Sequence, residues 1–140
     1  SQPNPIAGWN WQIGPGLGEN GGPLRDFANP AAAGQPDHMN QYEKLPASYD
    51  NGGVHIYSGI HNKAVHGVLT AADANGDPVI PTREAALLLY LTLIRLTPTS
   101  DFSDARRTLL TVAGVYYQNH PDRDARLQAI KDAYDAVGIA

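Results

Sequence analysis

The chain has 140 residues, a formal net charge of −4 and no cysteine, with 42% hydrophobic and 17% charged residues. That is a globular composition in one domain's length, enough to bury roughly two thirds of the surface an unfolded chain exposes. Only 10 Lys and Arg leave no basic surface for a phosphate backbone, no apolar run reaches the ~20 residues of a membrane span, and disulfides, thiolate ligands and a cysteine nucleophile are all ruled out, so neither nucleic acid nor membrane is an expected partner.

The chain opens Ser1-Gln2-Pro3-Asn4-Pro5 without Met or a signal-like apolar segment, which reads as an artificial boundary or a processing site. Residues 1–8 are expected to be a linker or processing remnant, and 9–140 a single domain. Up to residue 57 the chain is dense in breakers such as Gly14-Pro15-Gly16, Gly21-Gly22-Pro23 and Asn29-Pro30, so loops with short turns are predicted. A loop region of that length in a compact domain points to function.

From Ser58 the pattern becomes helical. Ile60, Ala64, Val68 and Leu69 predict a helix to about Ala72 with Ser58 as N-cap, ended by the turn Asp73-Ala74-Asn75-Gly76-Asp77. A second helix, from Thr82 as N-cap to about Leu96, is apolar almost all round and is expected to be the buried central helix. A third, near Phe102 to Gln118 with Ser100 or Ser103 as cap, carries the stripe Phe102, Ala105, Leu109, Val112, Ala113 and Tyr116. The fourth starts at Asp122, repeats Leu127, Ile130, Tyr134 and Val137, and stops at Gly138. The expected fold is mainly α: a small helical bundle of about four to five helices with a long irregular N-terminal wrap. Arg106, Arg107, Arg123 and Arg126 read as solvated helix faces.

The densest polar cluster is Asp50-Asn51-Gly52-Gly53-Val54-His55. Two adjacent glycines allow a sharp turn that brings Asp50 within hydrogen-bond range of His55. A carboxylate on one ring nitrogen fixes the tautomer and leaves the other nitrogen to donate toward developing negative charge. On spacing alone, the simpler reading is a plain turn followed by a capping histidine.

That run, with Ser58-Gly59-Ile60 and Asn62-Lys63-Ala64 after it, resembles the signature of the C-terminal helical lobe of thermolysin-like (M4) zinc metallopeptidases. Trp11-Gln12-Ile13-Gly14, Leu24-Arg25, Asn29-Pro30 and Gln35-Pro36-Asp37-His38-Met39 precede it in that family's order. Leu96-Thr97-Pro98-Thr99-Ser100-Asp101-Phe102-Ser103 and Ala133-Tyr134-Asp135-Ala136-Val137-Gly138 follow it. The resemblance runs from Trp9 to near the end of the chain. It implies that His55 hydrogen-bonds the oxyanion of the tetrahedral intermediate and that Asp50 orients His55. It further implies that Arg25 contacts the substrate carbonyl and that Leu24 walls the pocket for the residue after the scissile bond. An asparagine usual before Ser-Gly-Ile is here Tyr57, a departure that bears on the cleft around His55.

The family's zinc is held by a helical His-Glu-x-x-His and a later glutamate. None of His38, His55, His61, His66 and His120 is followed by Glu, so the resemblance implies zinc in another lobe and none held in the family's manner here. His61 and His66 lie about 140° apart on a helix and are expected to be surface or capping residues rather than a ligand pair. Asn10, Gln12, Pro15 and Gly16 stand where the family's calcium sites carry acids, so calcium is not expected there. Asp73–Asp77 reads as a plain turn in place of a calcium loop. The implied partners are an N-terminal zinc-bearing lobe of the same enzyme and a peptide substrate, and the implied location is secreted. The expected function is the substrate-binding, oxyanion-stabilising lobe of a zinc metalloendopeptidase, this chain alone being inactive. The alternatives are a stand-alone peptide- or protein-binding module and a structural remnant.

Overall fold

A computed structural model describes residues 5–140. Among them are two short strands, β1 (Gln12–Ile13) and β2 (Arg25–Asp26), and four α-helices: α1 (Asp50–Thr70), α2 (Thr82–Leu93), α3 (Phe102–Tyr116) and α4 (Arg123–Asp135). The mainly α class is as expected. The chain divides into two compact units, one of residues 5–8, Gly67–Asp135 and Ile139–Ala140, the other of Trp9–His66 and Ala136–Gly138. Of the expected linker 1–8, residues 1–4 lie outside the described residues, whereas Ile6 is buried in the first unit.

In the first unit α2 packs on α3 and α3 on α4. Leu88, Leu109, Ile130, Tyr134 and Tyr117 are almost fully buried there. Each such side chain contributes about 1.5–3 kcal/mol through the apolar surface it removes from water. α2 corrects the expectation of a buried central helix. Its buried stripe is only Ala85, Leu88 and Thr92, spaced for one helical face, while Leu87, Tyr90, Leu93 and Ile94 are exposed. α3 is capped by Asp101 and not by a serine: Asp101 Oδ1 accepts from the Asp104 N–H at 2.8 Å, and Asp104 Oδ2 accepts from the Asp101 N–H at 3.0 Å. That backbone hydrogen bond holds the Asp104 carboxyl below its ordinary pKa. α4 ends in a turn whose Ile139 N–H returns to the Tyr134 carbonyl at 3.1 Å.

Two of the arginines expected on solvated faces are structural. Arg126 is buried, its guanidinium 2.7 Å from Glu84 Oε2 and 4.7 Å above the Tyr117 ring, and the Tyr117 hydroxyl donates to the same Glu84 oxygen at 2.7 Å. This cluster ties α2, the end of α3 and α4 together, and burial pushes the Tyr117 hydroxyl above its ordinary pKa. Arg106 pairs with Asp135 at 2.5 Å and also donates to the Ile139 carbonyl. Tyr116, expected on the buried stripe, is exposed, and Tyr117 takes the core position. The Asp73–Asp77 segment is a turn organised by Asp73 Oδ1, which accepts from the backbone N–H groups of Asn75 and Asp77 at 2.8 and 3.0 Å.

The second unit is more regular than its sequence suggested. β1 and β2 pair antiparallel, Gln12 opposite Asp26 and Ile13 opposite Arg25, and short 3-10 turns cover Glu19–Gly21, Pro30–Ala33 and Met39–Gln41. Asp26 is buried and satisfied: its carboxylate accepts from the Gln12 amide at 3.1 Å and the Asn29 N–H at 2.7 Å. His38 caps the third of these turns through Nδ1. The Met39 N–H donates to the Val137 carbonyl at 2.8 Å, bringing residues 136–138 into this unit.

Candidate active site

α1 begins eight residues before the expected start, so Ser58 is an interior residue and not its N-cap. Its first turn is left-handed: Asp50, Asn51, Gly52 and Gly53 have φ of 50°, 48°, 87° and 87°. Asp and Asn tolerate this region best among residues with a side chain. At Gly53 space is limiting as well, because a Cβ would lie 2.7 Å from the Tyr57 ring and 3.0 Å from Leu45 Cδ1. The left-handed turn folds Asp50 back over the start of the right-handed helix at Val54. There one carboxylate oxygen accepts from the His55 N–H at 2.8 Å, and the other lies 2.5 Å from His55 Nδ1. The pairing for which the glycine spacing left room is therefore present; His55 is a helical residue and not a capping loop histidine, the cap being the Asp50 carboxylate.

The hydrogen bond from the His55 ring is the main cause holding the Asp50 carboxyl below its ordinary pKa. An ionised carboxylate only accepts, so Nδ1 carries the proton in this contact. The Asp50 side chain is mostly covered at 21% exposure, whereas that of His55 is 73% exposed, leaving its far edge open to a ligand. Arg25, on β2, reaches the same place, with one guanidinium nitrogen 2.6 Å from the Leu24 carbonyl and another 3.5 Å from the His55 carbonyl. Leu24 is 44% exposed beside it, its N–H held by the Gly14 carbonyl at 3.0 Å. All four expected site residues thus sit in one unit, with Arg25 meeting the backbone of His55 and Asp50 its ring. Tyr57 turns inward: it is buried, stacks at a tilt on Tyr42 with centroids 4.6 Å apart, and its hydroxyl oxygen accepts from the Glu43 N–H at 3.1 Å.

The chain matches the family model described as thermolysin metallopeptidase, alpha-helical domain, over residues 2–139. It belongs to that family. It is 36% identical to bacillolysin of Brevibacillus brevis over 137 residues, covering 93% of this chain and 25% of that protein. It is 38% identical to extracellular elastase of Staphylococcus epidermidis over 125 residues, covering 89% and 22%. Thermolysin of Alicyclobacillus acidocaldarius subsp. acidocaldarius is 33% identical over 139 residues, covering 93% and 24%. This thermolysin-family domain thus spans about a quarter of the length of the curated relatives it matches.

The family implies zinc in the full enzyme, and the residues here do not fit that ion. Among the described residues no three His, Asp or Glu side chains converge to hold a metal. His61 and His66, expected to be surface or capping residues, are each half-buried; burial lowers the pKa of both, and Trp11 meets the His66 ring edge-on at 4.6 Å. No helix among the described residues is long and apolar enough to cross a membrane.

Gln35 and Gly59 also belong to this site, although no motif or spacing in the sequence assigns either a role. The buried Gln35 amide donates to the His55 carbonyl at 2.7 Å and to Ser58 Oγ at 2.9 Å. The one available signal was that both lie inside the ordered blocks that carry the family resemblance.

Proposed function

We propose that this domain is the substrate-binding and oxyanion-stabilising lobe of a secreted zinc metalloendopeptidase, whose partner is an N-terminal lobe carrying the zinc and whose substrate is a peptide. The observation that carries this reading is the Asp50–His55 pair, a ring with Nδ1 on a carboxylate and its other edge open. When Nε2 bears a proton, it is a positioned donor for the oxygen that gains charge as a peptide carbonyl becomes tetrahedral. Asp50 fixes the ring's orientation and opposes the positive charge of a doubly protonated imidazole. Arg25, whose guanidinium has five N–H donors, can hold the Leu24 and His55 carbonyls and still donate outward to a substrate carbonyl, while Leu24 offers apolar surface beside it. The relative named an extracellular elastase supports the secreted assignment. Zinc belongs to the other lobe in this reading, and no zinc step falls to these residues.

Steady-state kinetics on the full-length protein that carries this domain tests the assignment. Because His55 acts on charge that develops only in the transition state, His55→Ala is expected to lower kcat by about 100- to 1000-fold with KM much less affected. Asp50→Asn acts in the same direction but less, since the imidazole remains. Arg25→Ala harms both KM and kcat, its guanidinium touching substrate throughout. A His55→Ala enzyme with near wild-type kcat would overturn the role and favour a non-catalytic peptide-binding module.

A further inference from the structure

The backbone of His55 is held by a residue to which the proposed mechanism gives no part. Gln35 is 6% exposed, and its amide nitrogen reaches both the His55 carbonyl at 2.7 Å and Ser58 Oγ at 2.9 Å, so one side chain bridges two residues of the first right-handed turn of α1. The loop bearing Gln35 comes this close because residue 59 is glycine. A Cβ there would lie 2.6 Å from the Pro36 carbonyl oxygen and 2.7 Å from Gln35 Cβ, distances no side chain accommodates. The bridge also leaves the Gln35 carbonyl oxygen Oε1 buried without a hydrogen-bond partner among the described residues. A buried acceptor left unmade costs stability, and a residue present only to fill space would be better served by an apolar side chain.

We infer that Gln35 is a positioning residue for His55, its amide N–H pair fixing the backbone from which the imidazole projects toward the substrate oxygen. This rests on the role proposed above for His55. Asp50 restrains the ring and the backbone N–H, Gln35 holds the carbonyl at 2.7 Å where Arg25 reaches it only at 3.5 Å, and together they leave the exposed imidazole little freedom to drift from the reacting atom. The chemistry demands an amide: its nitrogen donates to two oxygens, whereas an ionised carboxylate in its place would set oxygen against oxygen at the His55 carbonyl.

The test is kinetic, on the full-length enzyme, with thermal unfolding and circular dichroism of each variant. Gln35→Leu, which keeps the bulk and removes the donors, is expected to lower kcat about 10- to 100-fold with KM within about twofold, as a small misplacement of a transition-state donor does. Gln35→Glu supplies a readout that a merely structural role would not move. Its carboxyl donates only when protonated, so the ratio of its kcat to wild type should be highest at acid pH. It should fall as pH rises through a carboxyl pKa that burial shifts upward. Should Gln35→Leu fail to fold, Gln35→Glu decides alone, a ratio independent of pH overturning the inference. A folded Gln35→Leu enzyme with wild-type kcat also overturns it. With His55→Ala inactive that result sinks the inference alone, whereas His55→Ala at wild-type turnover sinks the reading of the site and this inference with it.

Discussion

At His55 two restraints of different origin meet, one on the ring and one on the backbone carbonyl, and they were unequally legible in the sequence. The Asp50 contact is local: four residues, two of them glycines, lie between the partners, so spacing made the pair possible while still favouring a plain turn, and the family resemblance pointed to it. The Gln35 contact crosses from a loop to a helix over twenty residues and has no periodicity to betray it. Gly59 was a sign only in retrospect, since a glycine inside a helix marks a close approach without saying of what. The Asp50 pairing carries a prediction with a definite sign. An Asp carboxyl titrates near pH 3.9 in an unfolded chain, and the hydrogen bond from His55 places the folded value lower. Between those values the unfolded state binds more protons, so the contribution of the pair to stability is present above the unfolded pKa and is lost as pH falls through the folded one. Urea midpoints of wild type and Asp50→Asn, followed from about pH 5 down to about pH 2, should converge toward the acid end. A gap that held constant or widened over that range would contradict the pairing.

Helices α2 to α4 were readable because an apolar stripe at helical spacing is visible in any window, but the stripe on α2 was misjudged for a physical reason. A helix with apolar residues all round has no periodicity left to name its buried face, and only its packing on α3 selects Ala85, Leu88 and Thr92. The strands β1 and β2 are two residues each, shorter than any alternation that could announce them. Arginines on α3 and α4 read as solvated because charge usually is. What overrides that for Arg126 is one carboxylate, Glu84, serving both its guanidinium and the Tyr117 hydroxyl. The cluster is asymmetric: the Glu84 side chain is 32% exposed and that of Arg126 only 10%. Glu84→Ala therefore strands a buried cation and a buried hydroxyl and should cost about 3 kcal/mol or more, whereas Arg126→Met leaves a carboxylate that water and Tyr117 still serve and should cost clearly less. Chemical denaturation of the two variants measures this, and equal losses, or the reverse order, would show that the cluster is not arranged as described.

For the molecule as a whole, the family was legible because several short blocks recur in one order along the chain, and the match over residues 2–139 bears this out. What the blocks could not convey is how the work divides between the core and the site. The first unit buries Leu88, Leu109, Ile130, Tyr117 and Tyr134 around three helices, and its stabilising terms are apolar burial, caps and the Glu84 cluster, none of which involves a metal. The chain on its own is therefore expected to give a helical circular dichroism spectrum and a thermal transition that chelator does not move, because a ligand that does not bind the native state cannot shift its unfolding. The same division bears on activity. In the function proposed above His55, Asp50 and Arg25 would supply orientation and charge stabilisation, but neither the zinc motif nor the glutamate base that accompanies it in His-Glu-x-x-His is in the sequence. A donor with no nucleophile to assist has no transition state to stabilise. Incubated with a peptide that thermolysin-family peptidases cleave, the chain alone should release no product, with or without added zinc. Release of product that rises with zinc and stops with chelator would show that this domain holds catalytic machinery of its own, and the assignment of the metal to another lobe would fall.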